Sequence, residues 1–193
     1  MTPATSDRIA AAILGPVTAQ RTFRAVMDAL ARPGRVVELP HAELPPVLLP
    51  VAALADLGTG VCVLGDDGWA DAVRVATNAP SATVDDARLV AATRPVTAAE
   101  IRSMRRGAAL APEESALAAV PVSAVDSGSA LRLTGPGVDG TRTIAPAGLP
   151  DGVIAARAEA VAGFPAGVDL LLIDPDGRLL GLPRTSAIES RED

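Results

Sequence analysis

The chain has 193 residues, about half apolar and a fifth charged, which suits one sizeable domain able to bury a core without disulfides. A net charge of −6 and a sparse aromatic set (Phe23, Trp69, Phe164) argue against a nucleic-acid groove, which needs a basic face and stacking platforms. The chain has no lysine, so neither an internal Schiff base to pyridoxal phosphate nor a P-loop lysine can exist.

The apolar stretch over 9–17 follows one basic residue, Arg8, and is broken by Gly15-Pro16; it is too short and interrupted for an export signal. The spacing predicts a helix over 19–32, capped by Thr18, with Phe23, Val26, Met27 and Leu30 as one apolar stripe. Asp28 precedes Arg32 by four residues, the favourable order for a helical ion pair. Arg24 and Arg32 could reach a phosphate from this helix, but a solvated or ion-paired face is the commoner arrangement. Pro33-Gly34 stops the helix, and 35–39 reads as a strand. The proline-rich 40–50 segment is a loop, with His41 solvated in it. A helix over 50–57 and a buried strand over 61–64 follow, the latter holding Cys62 as a small hydrophobe.

A helix over 69–77 closes at Asn78-Ala79-Pro80, and 89–92 reads as a strand. Residues 97–106 form a helix opened by a capping box, Thr97-x-x-Glu100. Strands over 116–125 and 130–134 read as a hairpin joined at 126–129. A helix over 151–163 precedes a dense apolar strand over 170–173, a turn at 174–177 and a returning strand over 179–182. The polar 186–193 segment is expected to fray. A single α/β domain with a mixed sheet results, spanning 1–193 with loose ends at 1–15 and 186–193. No apolar run approaches the ~20 residues of a membrane span, and the expected location is the cytoplasm.

Few residues suggest chemistry. A zinc site usually wants four Cys or His ligands and the chain has only Cys62 and His41, so no metal is expected, and a cysteine-held iron–sulfur cluster is excluded. Any nucleophilic triad would depend on His41, so no catalytic residue is assigned. The most suggestive string is Leu131-Arg132-Leu133-Thr134-Gly135-Pro136-Gly137-Val138. Gly135 and Gly137 would let backbone amides approach an oxyanion, with Arg132 and Thr134 beside them. A tight turn at a strand end explains the same residues equally well. Arg184 stands just past a buried strand, where α/β proteins often bind ligands; a structural ion pair or a subunit contact is the plainer role. Asp169 would cap the Gly167 turn or pair with an arginine such as Arg24 or Arg184.

Several strings in fixed order carry a resemblance. They are Gln20-x-x-Phe23-Arg24 with Met27 and the stop Arg32-Pro33-Gly34, then Thr77-Asn78-Ala79-Pro80, then Gly107-Ala-Ala-Leu-Ala-Pro112-Glu113. The 131–138 string comes next, then Phe164-Pro165-Ala166-Gly167-Val168-Asp169-Leu170 and Leu182-Pro183-Arg184-Thr185. Together they span nearly the whole chain, which resembles the H-subunit family of bacterial carbon–phosphorus lyase (PhnH). The resemblance implies a fold like that of pyridoxal-phosphate-dependent transferases, without the cofactor. It implies a homodimer that joins the G, I and J subunits of a core complex. With G, I and a partner ATPase subunit, that family is associated with moving the triphosphoribosyl group of ATP to an alkylphosphonate, displacing adenine. The product is a ribose 1-alkylphosphonate triphosphate, and J then cleaves the carbon–phosphorus bond by radical chemistry. On this reading the chain is a non-catalytic or co-catalytic subunit, with ATP or an alkylphosphonate bound at most in a shared site. The alternative is a stand-alone cytoplasmic ligand-binding homodimer.

Overall fold

The computed structural model describes residues 4–65 and 67–190. Two helices open the chain, α1 (Thr5–Ala12) and α2 (Pro16–Ala31), followed by β1 (Val36–Glu38). A 3-10 turn (Pro46–Leu48) leads into α3 (Leu49–Leu54), then β2 (Val61–Leu64), α4 (Trp69–Thr77), β3 (Leu89–Ala92) and α5 (Ala98–Ser103). The second half contains β4 (Leu117–Pro121), β5 (Leu131–Thr134), β6 (Arg142–Ile144), α6 (Val153–Val161), β7 (Asp169–Ile173), β8 (Arg178–Leu182) and β9 (Ala187–Ser190).

The main sheet has the order β1-β8-β7-β4-β3-β2. Strands β2, β3, β4 and β7 run parallel, and β8 is antiparallel to both neighbours, so the sheet is mixed as its pattern predicts. Alternating side chains of β7 enter opposite layers: Leu170 and Leu172 meet α5 and α6, while Leu171 and Ile173 meet α2, α3 and α4. Burial on both faces explains why this strand reads as an unbroken apolar run. A three-stranded sheet, β6-β5-β9, shares the first of these cores through Leu133 and Ile144. No helix among the described residues is long and apolar enough to cross a membrane.

Four expectations need correction. The hairpin over 116–134 does not form: β4 pairs in parallel with β3 and β7, and β5 lies in the smaller sheet. The 126–129 turn is local, whereas Leu117 finds Asp169 opposite it, a long-range pairing no local signal announces. Residues 187–190 form β9 against β5 rather than fraying, with Ile188 packed on the core, while 1–3 and 191–193 lie outside the described residues. The stretch over 9–17 belongs to two helices: α1 packs on α4, Arg8 sits over the Trp69 ring, and Gly15-Pro16 starts α2 in place of the expected Thr18 cap. The buried stripe of α2 is Thr22, Ala25, Val26 and Ala29, one residue back from the expected stripe. Phe23 and Met27 are therefore 48% and 52% exposed.

The capping box forms as predicted. The Glu100 amide donates to Thr97 Oγ1 at 3.2 Å, and the Thr97 amide donates to Glu100 Oε2 at 2.8 Å. Arg94 also grips the Glu100 carboxylate at 2.6 and 3.1 Å, and these hydrogen bonds hold its pKa down to about 2. A lowered carboxylate pKa stabilises the fold above its unfolded value near 4.5, and that contribution fades as pH falls toward 2. Half-exposed Arg94 keeps it below about 1 kcal/mol. The expected result is that Glu100→Gln is less stable than the parent at pH 6 and equal to it at pH 2, measured by urea unfolding. An unchanged gap at pH 2 would refute the assignment.

Candidate functional site

Helix α6 and the segment leaving β8 enclose a groove of about 510 Å³. From α6, Ile154, Arg157, Ala158 and Val161 line it at i, i+3, i+4 and i+7; Arg184 to Ile188 form the opposite wall, and Pro136 and Phe164 close it. Among the described residues the lining is mainly apolar, with two cationic side chains, Arg157 and Arg184, and no acidic one.

Arg184 is already occupied. The Asp169 carboxylate accepts the Arg184 amide at 2.6 Å and its Nε at 3.2 Å. The guanidinium also donates to the Pro112 carbonyl at 2.7 Å, to the Pro165 carbonyl and to Ser115 Oγ. The Arg184 and Asp169 side chains are 15% and 16% exposed. Of the two partners considered for Asp169, the structure selects Arg184, because β7 and β8 are neighbours and the pair closes their shared end. This network ties the loop before β4 and the turn containing the cis Phe164–Pro165 peptide to the end of β8.

Arg157 is different, and reading the sequence missed it. It is only 2% exposed. Its guanidinium donates to the Pro183 carbonyl at 2.6 Å and the Ser186 carbonyl at 3.2 Å, while its Nε has no partner among the described residues. Burial lowers its pKa to about 10, partly offset by the nearby Asp169 charge. Ser186 Oγ, on the same groove, is also buried and unpaired. A signal was available: Arg157 sits in the run Val153, Ala156, Arg157, Ala160, the face that α6 buries.

The remaining residues singled out from sequence do not gather here. Arg132 is exposed on the outer face of β5, between Glu189 and Thr143 of its neighbouring strands. Thr134 lies on that same face. Gly135 backs onto the Thr185 carbonyl and Gly137 onto the Ala31 carbonyl beside Pro33, so the turn between them is wedged against the end of α2. A Cβ at either position would meet one of these carbonyls, so close packing alone requires both glycines. Gly34 packs against Leu133 and Ile144, bringing the Arg32-Pro33-Gly34 stop to the 131–138 string. Arg32 pairs with Asp28, and Arg24 lines an open groove beside β1. Asn78 takes the left-handed conformation that ends α4, ahead of Pro80, whose carbonyl accepts the Val61 amide. Phe164 is 63% exposed, and Gly167 sits beneath the Arg184 side chain.

The comparisons with known proteins agree with one another. The model of the bacterial phosphonate metabolism protein (PhnH) family matches residues 14–189. HtxG of Stutzerimonas stutzeri, a protein named as a C-P lyase subunit, is 33% identical over 173 residues, covering 88% of this chain and 85% of its own. The alpha-D-ribose 1-methylphosphonate 5-triphosphate synthase subunit PhnH of Rhizobium meliloti (strain 1021) is 31% identical over 182 residues, covering 89% of this chain and 90% of its own. Nearly every described element lies within the matched span, including the groove and the Arg184–Asp169 network, and the chain belongs to the PhnH family of bacterial phosphonate metabolism proteins.

Proposed function

We propose that this chain is an accessory subunit of the carbon–phosphorus lyase core complex. It acts with the G and I subunits in transferring the triphosphoribosyl group of ATP to an alkylphosphonate, and assembles as a homodimer with G, I and J in the cytoplasm. The observation that carries this reading is the family match over 14–189, joined by two relatives named for that system. The side chains point the same way: His41 and Cys62 are the only histidine and cysteine, and neither lines the groove. The mostly parallel sheet, covered on both faces, fits the frame of pyridoxal-phosphate transferases, with no lysine for the internal Schiff base.

Docking has a candidate surface. Phe23 and Met27 stand one turn apart on the open side of α2, and large apolar side chains in that position favour a covered face. The tagged chain, co-expressed with untagged G, I and J subunits from the same organism, is expected to co-elute with them. A Phe23→Asp/Met27→Asp double variant is expected to keep its fold and bind at least about tenfold more weakly, since apolar anchors dominate interfaces. If the parent chain elutes alone at mild salt while G, I and J still assemble, the proposed role fails.

A further inference from the structure

We propose that the groove between α6 and the Arg184–Ile188 segment binds a small organic oxyanion: one acidic head carrying a short apolar chain, with Arg157 as its countercharge. The inference stands on the groove's own residues and does not depend on the role of the chain in a complex.

Arg157 has five N–H groups, and all of its hydrogen bonds go to carbonyl oxygens. Carbonyls satisfy hydrogen bonds but do not neutralise charge. The nearest carboxylate, Asp169, is committed to Arg184 by four hydrogen bonds. Among the described residues, two guanidiniums and one carboxylate therefore leave one positive charge beside a largely apolar cavity. A buried charge without a counterion is costly, and an anion entering the groove would offset that cost. Ser186, whose carbonyl already holds Arg157, adds a buried hydroxyl with no partner among the described residues, which a small side-chain rotation would turn toward an oxyanion oxygen.

The rest of the lining defines what the anion carries. Ile154, Ala158, Val161 and Ile188 offer a hydrocarbon wall, and the volume accommodates a molecule of several heavy atoms. Inorganic phosphate would meet the charge and leave this wall wet. An alkyl oxyanion would cover both. A nucleoside triphosphate fits poorly, because Arg157 is a single uncompensated cation with no lysine to assist it.

The probes are butylphosphonate, butanoate and inorganic phosphate, titrated calorimetrically into the full chain. At least one butyl probe is expected to bind saturably below about 10 mM, at least about tenfold tighter than inorganic phosphate. The two butyl probes separate a tetrahedral from a planar head. Arg157→Gln is expected to lose the binding, but this buried change also releases the Pro183–Ser186 turn. The decisive variant is Ala158→Phe, which fills the groove from an exposed position and leaves Arg157 untouched. It is expected to keep the parent melting temperature and bind the butyl probe at least about tenfold more weakly. Three results would each overturn the proposal: no saturable binding of either butyl probe, inorganic phosphate binding as tightly as they do, or Ala158→Phe binding them as well as the parent.

Discussion

Replacing Asp169 with alanine is expected to cost about 3 kcal/mol of folding stability, the lower end of what breaking a buried ion pair costs. The cost comes less from the lost attraction than from what is stranded. The Arg184 guanidinium stays almost enclosed, facing Ser115 and two carbonyls that cannot balance its charge. The Arg184 amide loses its 2.6 Å acceptor. Arg157 loses the one nearby carboxylate that favours its charged form. Asp169→Asn keeps an acceptor but not the charge, and is expected to cost about 2 kcal/mol. A double variant, Asp169→Leu/Arg184→Met, removes both charges and is expected to recover at least about 1 kcal/mol relative to Asp169→Ala. Urea unfolding at pH 7 measures all three. A loss below about 1 kcal/mol for Asp169→Ala would show that water reaches Arg184 freely and that the network is not a support of the β7–β8 end.

The parts of this fold that local chemistry determines were readable in advance. Strand β7 is apolar at every position from Leu170 to Ile173 because both its faces are covered, and its hairpin with β8 follows from the turn at 174–177. The α5 capping box is complete within four residues, so spacing alone reveals it. What escaped the sequence depends on partners far along the chain. The face that α2 buries is chosen by what lies beneath it, not by which of its residues are most hydrophobic. Arg157 shares the apolar face of Val153 and Ala160, but the carbonyls that let an arginine sit there come from Pro183 and Ser186, 26 and 29 residues on. Gly135 and Gly137 read equally well as an oxyanion approach or a tight turn, and the carbonyls of Thr185 and Ala31 that a Cβ would meet come from distant segments that no local pattern announces. Asp169 and Arg184 were both legible as candidates, and their pairing follows once β7 and β8 are seen to be neighbours.

Gly181→Ala is expected to destabilise the chain by about 3 kcal/mol or more, the upper range for inserting atoms into a packed core. Gly181 lies in β8 opposite Leu171, facing α2. A Cβ there would overlap the Ala29 carbonyl, and the obstruction is helix backbone, which cannot swing aside like a side chain. Ala25 and Ala29 complete the close approach from the helix side, both almost fully buried. This explains the rotated stripe: only small residues fit against Gly181, so Phe23 and Met27 are turned outward. Gly137, at φ 80, packs against the Ala31 carbonyl at the last turn of the same helix, and alanine there adds left-handed strain to the overlap. Gly163→Ala is the control, because no atom lies within 4 Å of its Cβ position and it should change stability by less than about 1 kcal/mol. Under the proposed docking role, the Gly181 variant is also expected to weaken co-elution with the lyase subunits, since lifting α2 displaces the face that carries Phe23 and Met27. Unfolding measurements on the isolated chain separate the two effects. A Gly181→Ala protein as stable as the Gly163→Ala control would mean that α2 can ride up over β8 without loss, and the packing explanation of the outward-facing pair would fall with it.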